Sequence, residues 1–240
     1  MPTNRVAIVT GASDGVGRET AVLLAEAGYD LALIARREDR LHATVAGISE
    51  RLGTSEHRTL VLPTDLTNDA DTRAAALRVV EHFGRVDAVA NVAGNAPLMP
   101  IEELTPAIWR QCIDTNLSAI VMMTAALWPT FRQQQAGVIV NVSSMASIDP
   151  FRGFSAYAAA KVGVNMFTRC TADEGEAIGL KAVALVLGAV ETPMLRGLFS
   201  EDVLPRDQTM SPVTVATVIR DCIVGSYAFE NGQTIVMEGE

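Results

Sequence analysis

Residues 5–17 read RVAIVTGASDGVG, an aliphatic, β-branched run that passes directly into a loop with glycines at 11, 15 and 17. The first six residues suit a buried strand, and the spacing predicts a helix beginning around Val16. Glycines at such a junction permit a tight turn and let backbone N–H groups approach a pyrophosphate at the positive end of the helix. A plain turn is the other reading of three glycines. The position between a strand and a helix, at the first such junction of the chain, favours the phosphate cradle.

Outward from this stretch the same alternation continues. Further strands are expected at DLALIA (30–35), TLVLPT (59–64), VDAVAN (86–91), GVIVNVS (137–143), KAVALVL (181–187) and QTIVME (233–238), making seven in all. Amphipathic stretches separate them, the pattern of repeated βαβ units around a parallel sheet covered on both faces. Gly28, Gly53 and Gly84 mark helix ends. Thr105-Pro106, Thr192-Pro193 and Ser211-Pro212 read as caps followed by a first-turn proline. No linker, repeat or low-complexity segment interrupts residues 1–240, so one α/β domain is expected, and the weakly periodic segment 194–211 suits a lid over a site.

Composition narrows the function classes. A net charge of −9, spread along the 240 residues, argues against nucleic-acid binding. No apolar run reaches the ~18 residues that a membrane helix needs, and no charged-then-apolar leader precedes the first strand. Cys112, Cys170 and Cys222 are few, scattered and without a Cys-x-x-Cys pair, which fits a reducing cytoplasm. His42, His57 and His82 lie in polar segments without ligand spacing, so no metal site is expected.

The glycine spacing, Gly-x-x-x-Gly-x-Gly, resembles that of the short-chain dehydrogenase/reductase family. The resemblance recurs at later strand ends: Asp65-Leu66-Thr67 is similar to an adenine-contacting turn, NVAG (91–94) to a motif after the fourth strand, and VSSMAS with YAAAK to a catalytic pair of motifs. It covers essentially the whole chain and extends to 3-oxoacyl-carrier-protein reductases in length and layout. It implies a Rossmann fold with strand order 3-2-1-4-5-6-7. It also implies a nicotinamide cofactor held by Gly11, Ser13, Asp14, Gly15, Val16, Gly17, Asp65, Leu66, Asn91, Ala93 and Gly94, and by Gly188, Val190 and Thr192 after strand six.

An NAD-selective site of this design carries Asp or Glu at the end of its second strand. Here Ala35 is followed by Arg36 and Arg37. A missing carboxylate beside two guanidinium groups favours a 2′-phosphate, and so NADP(H) over NAD(H), although RREDR also reads as a solvated helix start. Asp14 puts an acid into the loop and counts against that preference.

SAYAAAKVG (155–163) sets Tyr157 and Lys161 one helical turn apart, in a chain with three tyrosines and two lysines. Reduction of a carbonyl requires a proton donor. A phenol of pKa about 10 suits that task near neutrality only if a cation such as Lys161 favours its ionised form. Taken alone, the pair also reads as a buried tyrosine and a snorkelling lysine. The resemblance assigns Tyr157 as acid/base and Lys161 as its tuner and a ribose ligand. It assigns Ser144, thirteen residues before Tyr157, as the group polarising the carbonyl, and Asn116 as holding a relay water. Read from residues alone, Asn116 bends a helix or bonds a neighbouring one. Ser143 and Ser144 must face opposite sides of their strand, so one of them serves the site.

Two positions depart from the family pattern: Leu187 replaces a proline after strand six, and Val92 a second asparagine. The substrate pocket is expected from 95–100, 145–154 and 194–211, with Met99, Met145, Phe151, Phe154, Met194, Leu198 and Phe199 on its wall and Arg152 and Glu191 nearby. The implied activity is NADP(H)-dependent interconversion of a carbonyl and a secondary alcohol, with 3-oxoacyl thioesters or, from the faint likeness of PFRGF to sepiapterin reductases, pterins among the substrates. The implied assembly is a homo-oligomer, dimer or tetramer, through the long helices flanking strand five. The rival reading is an idle nucleotide-binding scaffold that keeps the fold without the reaction.

Overall fold

In the computed structural model, which describes residues 5–238, seven parallel strands form one sheet in the order β3-β2-β1-β4-β5-β6-β7. They are Val6–Thr10 (β1), Asp30–Ala35 (β2), Thr59–Pro63 (β3), Ala88–Asn91 (β4), Gly137–Ser144 (β5), Leu180–Leu187 (β6) and Thr234–Met237 (β7). Successive strand residues supply opposite layers of core. Ala7, Val9, Leu31 and Leu33 enter one cluster, Val6, Ile8, Ala32 and Ile34 the other. Both faces are covered, so the strands read as continuous apolar runs.

Helices Gly15–Glu26 (α1), Glu38–Leu52 (α2) and Pro212–Val224 (α8) bury Leu24, Leu41, Ile48 and Ile219 on one face. On the other, Asp69–Phe83 (α3) and Ala119–Gln134 (α5) bury Val79, Phe83, Met123, Leu127 and Phe131. Pro106–Ile113 (α4), Ser155–Gly175 (α6) and the short Pro193–Arg196 (α7) complete the set. The expected caps form: Thr105, Thr192 and Ser211 each accept from a first-turn N–H ahead of or beside a proline at the helix start. Gly53 and Gly84 close α2 and α3 in the left-handed conformation.

One element differs from the expected helix. Residues 114–118, DTNLS, form a π-helical turn between α4 and α5, and Asn116 sits fully buried within it. A π turn inserts one residue into the helical register and so swings a side chain to a new azimuth, a feature frequent at functional sites. Among the described residues, no helix is long and apolar enough to cross a membrane.

β1 is flanked by β2 and β4, so the chain winds in opposite directions from this point and leaves a crevice at the carboxyl ends of the strands.

Candidate active site

The crevice is a cavity of about 1230 Å³. Its first wall is backbone. Gly11 lies at φ +68°, and a Cβ there would stand 2.9 Å from the backbone nitrogen of Ala93; one on Gly17 would stand 2.2 Å from the Gly11 carbonyl. Thr10 Oγ1 accepts from the N–H groups of Val92 (3.1 Å) and Ala93 (3.2 Å), binding the β1 and β4 loops together. The N-cap of α1, Asp14, makes no side-chain capping bond, so the first-turn N–H groups are left to a ligand in the cavity. Gly188, Val190 and Thr192 form the facing loop, where Thr192 Cγ2 would lie 3.1 Å from a Cβ on Gly15. A narrow cradle of free donors beside glycines that admit no side chain fits a dinucleotide pyrophosphate.

Asp65 and Leu66 also line the cavity. The Thr67 backbone N–H and then its hydroxyl bond the Asp65 carboxyl and hold it below the usual range. Asn91 does not reach the wall. It is buried, and its amide donates to Asn141 Oδ1 at 2.8 Å, whose own amide donates to Thr168 at 2.8 Å. The Asn91 side chain thus braces β4 against β5 and α6, while Ala93 and Gly94 form the cavity face.

At the outer end, Arg36 and Arg37 line the cavity. Arg37 is ion-paired to Asp14 and also donates to Ser13 Oγ at 3.4 Å. The acid expected to oppose a 2′-phosphate thus competes for one of the two arginines that would bind it.

Ser144 ends β5, and Tyr157 lies in the first turn of α6; both reach the cavity. Ser143 also borders the cavity, but it is buried and its hydroxyl donates to the Lys161 carbonyl at 3.3 Å, anchoring α6, whereas Ser144 bonds Tyr157. Lys161 is almost completely buried behind the wall, with Nζ 2.8 Å from the Val142 carbonyl and 5.5 Å from the Tyr157 ring centroid. Burial pulls its pKa down to about 8. Burial also pushes the Tyr157 phenol up to about 12, opposed by its hydrogen bond with Ser144. Among the protein's own groups, desolvation therefore dominates the phenol and works against the ionised form that a neighbouring cation favours.

Asn116 is brought to the same place from the π turn. Its amide donates to the carbonyls of Cys112 (2.9 Å) and Asn95 (2.8 Å) and to Asn95 Oδ1 (2.8 Å), and its Oδ1 accepts the Asn95 N–H at 3.3 Å. A Cβ on Gly94 would lie 2.8 Å from Asn116 Oδ1 and 3.8 Å from Lys161 Nζ, so the glycine keeps these two polar groups close. Asn95 lines the cavity, within the expected segment 95–100; its pairing with Asn116 was not expected from the sequence.

Phe151, Phe154, Met145, Met194, Leu198 and Phe199 form much of the remaining wall, with ring centroids of Phe154 at 5.8 Å from Tyr157 and 6.3 Å from Phe199. Met99 does not line the cavity; its N–H donates to the Gly153 carbonyl at 3.0 Å and latches two of the pocket loops together. Segment 194–211 is ordered around Glu191. Arg196 Nε donates to both Glu191 oxygens (2.8 and 3.1 Å), and Nη1 donates to the Leu204 carbonyl at 2.7 Å. Arg206 approaches the same carboxylate at 3.9 Å, and Met210 bridges to Val190. Arg196 and then the other bonded groups hold the Glu191 carboxyl below the usual range.

A dinucleotide cradle beside a Ser, Tyr and Lys cluster, on a doubly wound parallel sheet, defines a nicotinamide-dependent oxidoreductase. A family model described as short chain dehydrogenase matches residues 5–202, and the chain belongs to that family. It is 30% identical over 248 residues to an acetoacetyl-CoA reductase of Acinetobacter sp., covering 100% of this chain and 98% of the relative. It is 34% identical over 194 residues to a levodione reductase of Leifsonia aquatica, covering 80% and 72%. The crystal structure of an actinorhodin polyketide ketoreductase with NADPH superposes at a TM-score of 0.89 with 27% identity, covering 98% of this chain and 96% of that one.

Proposed function

We propose that the protein is an NADP(H)-dependent oxidoreductase that interconverts a carbonyl and a secondary alcohol, with Ser144, Tyr157, Lys161 and Asn116 as its catalytic set. The observation that carries this reading is the meeting of the Ser144 hydroxyl and the Tyr157 phenol on one cavity wall, with the Lys161 ammonium 5.5 Å behind the ring. NADPH bound in the cradle would supply the hydride. Ser144 would donate a hydrogen bond to the substrate oxygen and fix its place beside the phenol. Tyr157 would deliver its proton to that oxygen as negative charge develops there; burial keeps the phenol protonated but weakens it as an acid, so the neighbouring cation is needed to ease the proton's departure. Lys161, with its pKa near 8, would remain mostly charged at neutral pH and stabilise the phenolate left behind. Asn116, held by Asn95 and Cys112, would order the polar path behind Lys161 through which that proton is replaced.

Arg36 and Arg37 at the outer end support NADP(H) over NAD(H). A homo-oligomer through α5 and α6 is supported by the exposed Val162 and Met166 and by the groove at Val121, Ala125, Trp128 and Phe167. Three free cysteines, two of them buried, support a reducing compartment.

The test follows NADPH absorbance against ketones, 3-oxoacyl thioesters, quinones and pterins. Oxidation is expected with at least one carbonyl class, with kcat/KM for NADPH about tenfold or more above that for NADH. Tight NADPH binding without oxidation by any of them would establish the idle scaffold instead.

A further inference from the structure

Resting on the oxidoreductase reading above, we infer that the substrate is an uncharged, ring-bearing ketone, cyclic or aromatic, rather than a carboxylate-bearing or open-chain one. The three segments that surround the far half of the cavity, 95–100, 145–154 and 194–211, carry three cations among them: Arg152, Arg196 and Arg206. None lines the cavity wall, and two of the three are committed elsewhere. Arg196 is consumed by Glu191 and by the Leu204 carbonyl, and Arg206 bonds Glu201 at 2.8 Å and approaches Glu191. Arg152 is exposed and stands off the cavity wall. Asp149, by contrast, does line the cavity, as does Glu238. The arginines that reach the wall, Arg36 and Arg37, belong to the opposite, adenosine end. A substrate carboxylate in the far half would lose water, meet an acid and find no counter-charge, which is costly.

Shape gives the second half of the inference. Three of the seven phenylalanines, Phe151, Phe154 and Phe199, gather on this wall. Phe151 and Phe154 share the loop before α6 and Phe199 comes from segment 194–211, and Phe154 joins the phenol on one side to the lid ring on the other at 5.8 and 6.3 Å. Tilted rings that run from the proton donor into the lid offer faces and edges to a flat ring whose carbonyl points at Tyr157. Methionines 145 and 194 add adaptable apolar surface to this wall, and Asn95, Gln111 and Thr115 give it a few uncharged polar groups.

The test uses matched substrates with NADPH: tetralone against carboxytetralone, and tetralone against an open-chain ketone and the 3-oxobutanoyl thioester of N-acetylcysteamine. Tetralone should exceed its carboxylate by at least about tenfold in kcat/KM, and exceed both open-chain compounds. Asp149→Asn should narrow the carboxylate penalty several-fold. Phe154→Leu and Phe199→Leu should erode the ring preference, chiefly through KM. Equal or better turnover of carboxytetralone, or a preference for the thioester, overturns the inference while leaving the oxidoreductase reading in place. If no ketone is turned over, that reading fails, and the substrate class is then read from melting temperature with NADPH present. A larger rise with tetralone than with carboxytetralone sustains it, and an equal or smaller rise overturns it.

Discussion

The two halves of the cavity are built from different materials. At the cofactor end the wall is main chain: Gly11 and Gly17 touch neighbouring backbone with no room for a methyl group, and Thr10 clamps two loops by their N–H groups. At the substrate end the wall is side chain, carried on loops and short helical turns, with segment 194–211 held by an ion-pair cluster around Glu191. Backbone cradles read what every bound dinucleotide shares. Side-chain walls can be changed one residue at a time without disturbing the sheet, so this is where a family of common chemistry diversifies its substrates.

Substitutions should separate the halves in that order of effect. Gly17→Ala places a methyl group against the Gly11 carbonyl and should cost several kcal/mol of stability, about 3, together with roughly a hundredfold or more in NADPH affinity, read by denaturant melts and by fluorescence titration. Arg196→Met releases the lid from Glu191 and the Leu204 carbonyl. The ketone KM should rise about tenfold while the NADPH dissociation constant moves less than about twofold; a large change in NADPH binding would show that the halves are not separable. The smallest effect is expected for Asp14→Asn, which frees Arg37 at an exposed site. NADPH should bind about threefold tighter and NADH should change less, a difference that fades as salt is raised.

The same division marks what was legible in the sequence. Strands, caps and the glycine cradle were readable because each is decided by local chemistry: apolar runs, a hydroxyl before proline, and glycine where φ is positive. The strand order and the catalytic set came with the family resemblance, whose motifs fall at the strand ends where the crevice opens. The bracing bond of Asn91 was not legible because β4 is buried on both faces, so no alternation shows which way its amide points. The π turn at Asn116 leaves no trace in a continuous helical pattern. The direction of the Tyr157 shift depends on how deeply α6 settles against β5, and the lid network on contacts among Glu191, Arg196 and Arg206 that only the folded chain brings together.

The central claim is that the phenol of Tyr157 delivers the proton in carbonyl reduction. Its most direct test is single-turnover oxidation of bound NADPH by a ketone in Tyr157→Phe, with NADPH affinity measured on the same preparation. A fall of roughly a thousandfold or more in the turnover rate is expected, with NADPH affinity changed less than about threefold; a variant that retains most of its rate would rule out proton delivery by the phenol.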